Sequence, residues 1–107
     1  MLSFGGAVPV AIVPLSTGVL DLSLGSLFQK TITSNTTLSI INIPSNNVAR
    51  FVLEITNGGS FITWFPGVTW NNGVAPTLSG TGKDVLGFYS TNGGVTWVGC
   101  VLGLNVF

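Results

Sequence analysis

At 107 residues the chain fits one domain, and its three basic and three acidic residues cancel. Only 6% of its residues are charged and 46% are hydrophobic, where an ordinary soluble domain is about 25% charged. So few scattered cations exclude a phosphate-neutralising nucleic-acid patch, and no run of about 20 apolar residues is free of Gly, Pro and polar breaks, which excludes a membrane-spanning helix.

No stretch shows helical periodicity. Fifteen Gly, five Pro and many Asn separate short runs of Val, Ile, Thr and Phe, the pattern of an all-β sandwich or barrel. Nothing near Met1 has the basic start of a signal peptide, and Met1–Gly6 reads as loose. Ala7–Leu15 reads as an extended arm. Its Pro9 and Pro14 lack backbone donors, which confines it to a sheet edge or a partner's surface. Val19–Leu24 follows, with Leu20, Leu22 and Leu24 on one face. In Leu27–Thr33, Phe28, Lys30 and Ile32 alternate with Gln29, Thr31 and Thr33. The apolar residues of Thr36–Ile43 change parity between Ile40 and Ile41, which predicts a bulge or a strand buried on both faces.

Val48–Thr56 is the clearest strand. Ala49, Phe51, Leu53 and Ile55 form one face, and Arg50 and Glu54 point the other way. Those two charges lie about 13 Å apart along the strand, so each is expected to meet a cross-strand neighbour. Asn57-Gly58-Gly59 predicts a hairpin turn that folds Ser60–Phe65 back onto this strand. Val68–Trp70 runs into a second tight turn at Asn71-Asn72-Gly73. Asp84–Thr91 and Val95–Leu102 flank Asn92-Gly93-Gly94 and predict another hairpin. It is apolar on both faces, so its outer face needs cover from a loop, an arm or another subunit. Cys100 is the lone cysteine and reads as a buried, inert thiol. The organisation expected is an extended arm over residues 1–15 and one antiparallel β-sandwich over residues 16–107, with the jelly roll as one form of it.

The chain has no His, which removes the commonest general base and metal ligand. No Ser–His or Cys–His nucleophile can exist, no cofactor fingerprint is present, and three carboxylates are too few for an ordinary calcium site. Glu54 and Asp84 are the one pair that could serve as glycosidase carboxylates. Their structural reading, an ion partner and a turn-stabilising group, outweighs it, and the chain reads as a non-enzyme. Trp70, Asn71 and Asn72 place a ring and two amides at a turn, the ingredients of a glycan site.

Several segments resemble a small module of tailed-bacteriophage virion proteins. They are Leu20–Gly25 with Phe28–Thr33, then Phe51–Gly59, then Trp70–Leu78 with Gly82–Leu86 and Phe88-Tyr89, and Gly93–Trp97. The resemblance implies a structural or attachment role without catalytic residues. It implies a small virion component, such as a capsid decoration (cement) protein assembled in the host cytoplasm. It further implies a homo-oligomer, a trimer first, docked on a major capsid or tail protein. The arm residues Val8, Val10, Ile12 and Val13 are the expected subunit or capsid interface. The alternative is a tail-fibre head that recognises a host glycan through Trp70, Asn71 and Asn72.

Overall fold

The computed structural model describes residues 11–106, and their regular elements are strands apart from one 3-10 turn at Asn71–Gly73. The strands are β1 (Ile12–Pro14), β2 (Val19–Asp21), β3 (Leu27–Thr31), β4 (Thr36–Thr37), β5 (Ser39–Ile41), β6 (Ala49–Thr56), β7 (Ile62–Thr63), β8 (Val68–Trp70), β9 (Lys83–Ser90) and β10 (Trp97–Gly103). The main sheet has six strands in the order β1-β3-β6-β9-β10-β8, and two-stranded ribbons are formed by β2 with β5 and by β4 with β7. The chain is all-β, as its punctuation predicts.

The pairing corrects the antiparallel expectation. Among the described residues only β6–β9 and β9–β10 are antiparallel. The pairs β1–β3, β3–β6, β2–β5, β4–β7 and β10–β8 are parallel. Parallel neighbours need a long crossover, usually a helix. Here the crossover runs through the small ribbons instead. The chain passes from β3 in the main sheet to β4, then β5, and returns to the main sheet as β6. It therefore winds as a coil whose successive circuits stack in register, Leu27 beside Ile12 and Val52 beside Leu27. The antiparallel β9–β10 hairpin, legible in the sequence, extends the sheet beyond β6, and β8 forms the far edge by pairing with β10.

The hairpin expected at Asn57-Gly58-Gly59 does not form. β6 already has β3 on one edge and β9 on the other, so no edge remains for Ser60–Phe65, and β7 pairs with β4 instead. Asn57 and Gly59 do take positive φ, 60° and 49°, but they turn a corner. The Asn57 amide donates to the Gly82 carbonyl at 2.9 Å, and the Gly82 amide donates back to Asn57 Oδ1 at 3.1 Å. The parity change at Ile40 and Ile41 is neither a bulge nor a strand buried on both faces: the two residues lie in unbroken register in β5, Ile41 is 44% exposed, and the chain bends just after it at Asn42, whose φ is 56°.

The core lies between the main sheet and the two ribbons. Phe28, Phe51, Leu53, Ile55, Leu86, Phe88 and Trp97 enter from the main sheet, and Leu20 and Leu38 from the ribbon side. Phe51 is central. Its ring stacks on Phe88 at 5.0 Å and meets Phe28 and Trp97 edge-on at 5.8 and 5.4 Å. Such pairs add about 0.5–1.5 kcal/mol each beyond burial. Asp84 closes one end of this core. It is fully buried and accepts hydrogen bonds from the Ser79 amide (2.6 Å), the Ser79 hydroxyl (2.8 Å) and the Asn105 amide (2.8 Å).

Candidate functional site

Side chains alternate across a strand, so the main sheet has a second, outer face. Register places Gln29, Glu54 and Val85 side by side on it, and likewise Arg50, Tyr89 and Val98. One end of this face is polar. Gln29 Nε2 donates to Glu54 Oε1 at 2.9 Å, and Lys83 Nζ lies 3.5 Å from the same oxygen. Glu54 thus meets cross-strand partners, as its position predicts. Asp84 is registered with the core residue Ile55 and Glu54 with Val85. The two carboxylates therefore face opposite sides of the sheet and do not converge on one bond.

The other end of the outer face is apolar and bare. Val48 is 53% exposed, Tyr89 46%, Val98 43% and Leu102 54%. Val48, Tyr89 and Leu102 surround an open hollow of about 370 Å³ whose wall also includes Arg50, Gly87 and Cys100. Gly87 forms its floor, because a strand residue without a side chain leaves a gap between its neighbours on β6 and β10. Cys100 is exposed here, which corrects the buried-thiol reading. Its strand position puts it on the outer face, opposite in parity to Trp97 and Gly99.

Comparison with known protein families, curated proteins and solved structures finds no match.

Of the expected interface residues, Val8 and Val10 lie outside the described residues. Ile12 and Val13 lie on β1 at the edge of the main sheet. Ile12 is 62% exposed, whereas Val13 packs against the core. The glycan trio is also divided. Asn71 and Asn72 are exposed, but Trp70 is half-buried, with its ring edge-on to Trp64 at 5.0 Å and to Phe88 at 5.5 Å. What remains of the ring lines an open hollow of about 460 Å³ with Thr69, Asn71, Val98, Cys100 and Val101. Asn72 takes positive φ at the turn and does not line that hollow. The sequence reading missed Val48, Gly87, Tyr89 and Leu102 as one group. A glycine in the interior of an apolar strand was the available signal.

Proposed function

We propose that this chain is a structural protein of a tailed-phage particle, a self-associating capsid decoration (cement) component that acts by passive burial of surface. The observation that carries the reading is the bare apolar end of the main sheet, on a chain with so little charge. Exposed contiguous apolar patches on soluble proteins mark interaction sites. The outer face of β9 and β10 satisfies that description with Tyr89, Val98 and Leu102. The resemblance to phage virion modules supplies the assembly and the docking partner, a major capsid or tail protein. No step of chemistry is assigned to any residue. Binding would stabilise the particle in proportion to the surface removed from water, with standard interfaces burying about 1,600 Å² in total. The test is to image purified particles with and without the protein. Ordered copies across the capsid and a lower disruption temperature without them are the expected result. Particles that never contain the chain would refute the proposal.

The hollow beside Trp70 and Asn71 supports a second reading, a fibre head that binds host glycan. An aromatic edge with an adjacent amide suits a sugar ring. Asn71→Ala is the better probe, because Trp70 also packs on Phe88. Glycan-array binding that disappears in Asn71→Ala would favour this reading, and a copy number covering the whole capsid would reject it.

A further inference from the structure

The bare end of the main sheet carries a ridge and a hollow side by side. Tyr89 projects, nearly half-exposed, next to the hollow floored by Gly87. A surface that holds both a knob and its socket can meet itself, which is the requirement for a two-fold interface. We propose that the outer face of β6, β9 and β10 is a self-association surface, on which a second copy of this chain sits face to face with each Tyr89 seated in the other copy's hollow over Gly87. The proposal rests on the self-associating structural reading above. It replaces the trimer that the resemblance implies with a pair.

The dimensions fit. The hollow, at about 370 Å³, falls in the range of about 300–1,000 Å³ that holds a small organic ligand, so a phenol ring can enter. Two sheets packed face to face stand about 10 Å apart with side chains interdigitating. Arg50, the one charge on the rim, is the cross-strand neighbour of Tyr89. It would flank the seated ring of the other copy, where a guanidinium is favourable. Three strands of about seven residues have a footprint of about 330 Å² per copy at ordinary strand spacing. That is smaller than a standard interface, so the pair should dissociate on dilution. Cover from the second copy would also account for a strand with two apolar faces.

Cys100 lines the same hollow and is the register neighbour of Gly87, as Val98 is of Tyr89. In this arrangement each Cys100 therefore lies over the other copy's Val98, and the two thiols stand about 7 Å apart along the strands, close enough for a short crosslinker to report on the pair. The experiment uses the full chain in sedimentation velocity from about 1 to about 500 µM, with a short bismaleimide as crosslinker. Tyr89→Ala removes the knob. Gly87→Ala raises the floor of the socket, and its added Cβ would lie 3.4 Å from Leu102 Cδ1 and 3.6 Å from Cys100 Sγ, ordinary contacts that leave the fold intact. The expected result is a concentration-dependent dimer crosslinked through Cys100. Each substitution should weaken it at least tenfold without lowering the melting temperature. A monomer throughout the range overturns the proposal, and so does a trimer. An oligomer indifferent to both substitutions and not linked through Cys100 removes this surface while leaving self-association standing. Absence from particles would instead strike the virion role and leave the pair untouched.

Discussion

Asn and Asp take the backbone roles that the charge-poor composition leaves to few residues. Asn42, Asn46, Asn57, Asn72 and Asn105 all have positive φ, the left-handed region that Asn tolerates better than most residues. Buried Asp84 works with one of them, because its carboxylate receives the Asn105 amide as well as both donors of Ser79. Asp84→Ala strands those donors at the end of the core. It should lower the unfolding free energy by about 2–4 kcal/mol, since hydrogen bonds to a charged group contribute about 1.5–3 kcal/mol each and their loss leaves buried groups unpaired. Urea denaturation reads this as a lower midpoint with unchanged slope. Asp21 is the exposed counterpart. Hydrogen bonds from Ser23 (hydroxyl 2.6 Å, amide 3.0 Å) and from Asn42 Nδ2 (2.8 Å) hold its carboxyl below the usual carboxylate range. A carboxylate whose pKa is depressed by folding stabilises above its unfolded value, about 3.9, and loses that stabilisation as pH falls through the folded value. The stability advantage of wild type over Asp21→Asn should therefore be constant near neutrality and shrink below about pH 4. Melting both proteins across pH 2–7 checks this, and a gap that widens on acidification would contradict it.

At the scale of elements, faces were legible in the sequence and neighbours were not. Alternation in Val48–Thr56 identified the core face of β6, because Phe51, Leu53 and Ile55 must share a side. Nothing in that alternation says whether β7 or β9 pairs with it. Asn-Gly chemistry is equally suited to a hairpin and to a corner of a coil. That is why Asn92-Gly93-Gly94 joined a hairpin while Asn57-Gly58-Gly59 did not. The circuits are also unequal, longer from Leu27 to Val52 than from Ile12 to Leu27, so the coil leaves no sequence period. The candidate surface was half legible. The two-faced hairpin announced an outer apolar face, but the hollow depends on Val48 and Arg50 standing beside Gly87, a neighbourhood created by long-range pairing. The same pairing makes Gly99 sensitive. A Cβ there would lie 2.7 Å from Trp70 Cζ3 and 2.9 Å from Phe88 Cε1, so one of two large rings must move. Gly99→Ala should cost about 1–3 kcal/mol as overpacking and shift the tryptophan emission. An unchanged melt and spectrum would show that β8 drifts freely against β10.

For the whole molecule the open question is whether the segment before Ser16 serves the fold or the assembly. Read as an extended arm, this segment would matter more to association than to folding. The described part of that segment belongs to the main sheet. Ile12–Pro14 pairs with β3, the Leu15 amide donates to the Gln29 carbonyl at 2.8 Å, and Val13 and Leu15 pack against the core. Alternation divides the duties, since Ile12, 62% exposed, shares neither the burial nor the packing of Val13. Truncating a fully buried leucine to alanine costs about 2–5 kcal/mol. The half-buried Leu15 should lose about 1–2 kcal/mol on the same scale, and Val13→Ala about 1 kcal/mol. Ile12→Ala should stay within about 0.5 kcal/mol, as exposed substitutions do. If the outer side of β1 touches a capsid or tail protein, Ile12→Ala should instead reduce occupancy on particles while the isolated chain melts as before. Two measurements on the same three variants separate the roles. Equal losses of stability at all three positions would mean that Ile12 is packed and that β1 has no outward duty. Loss of particle binding without loss of stability at Val13 would mean that the fold does not depend on this edge strand.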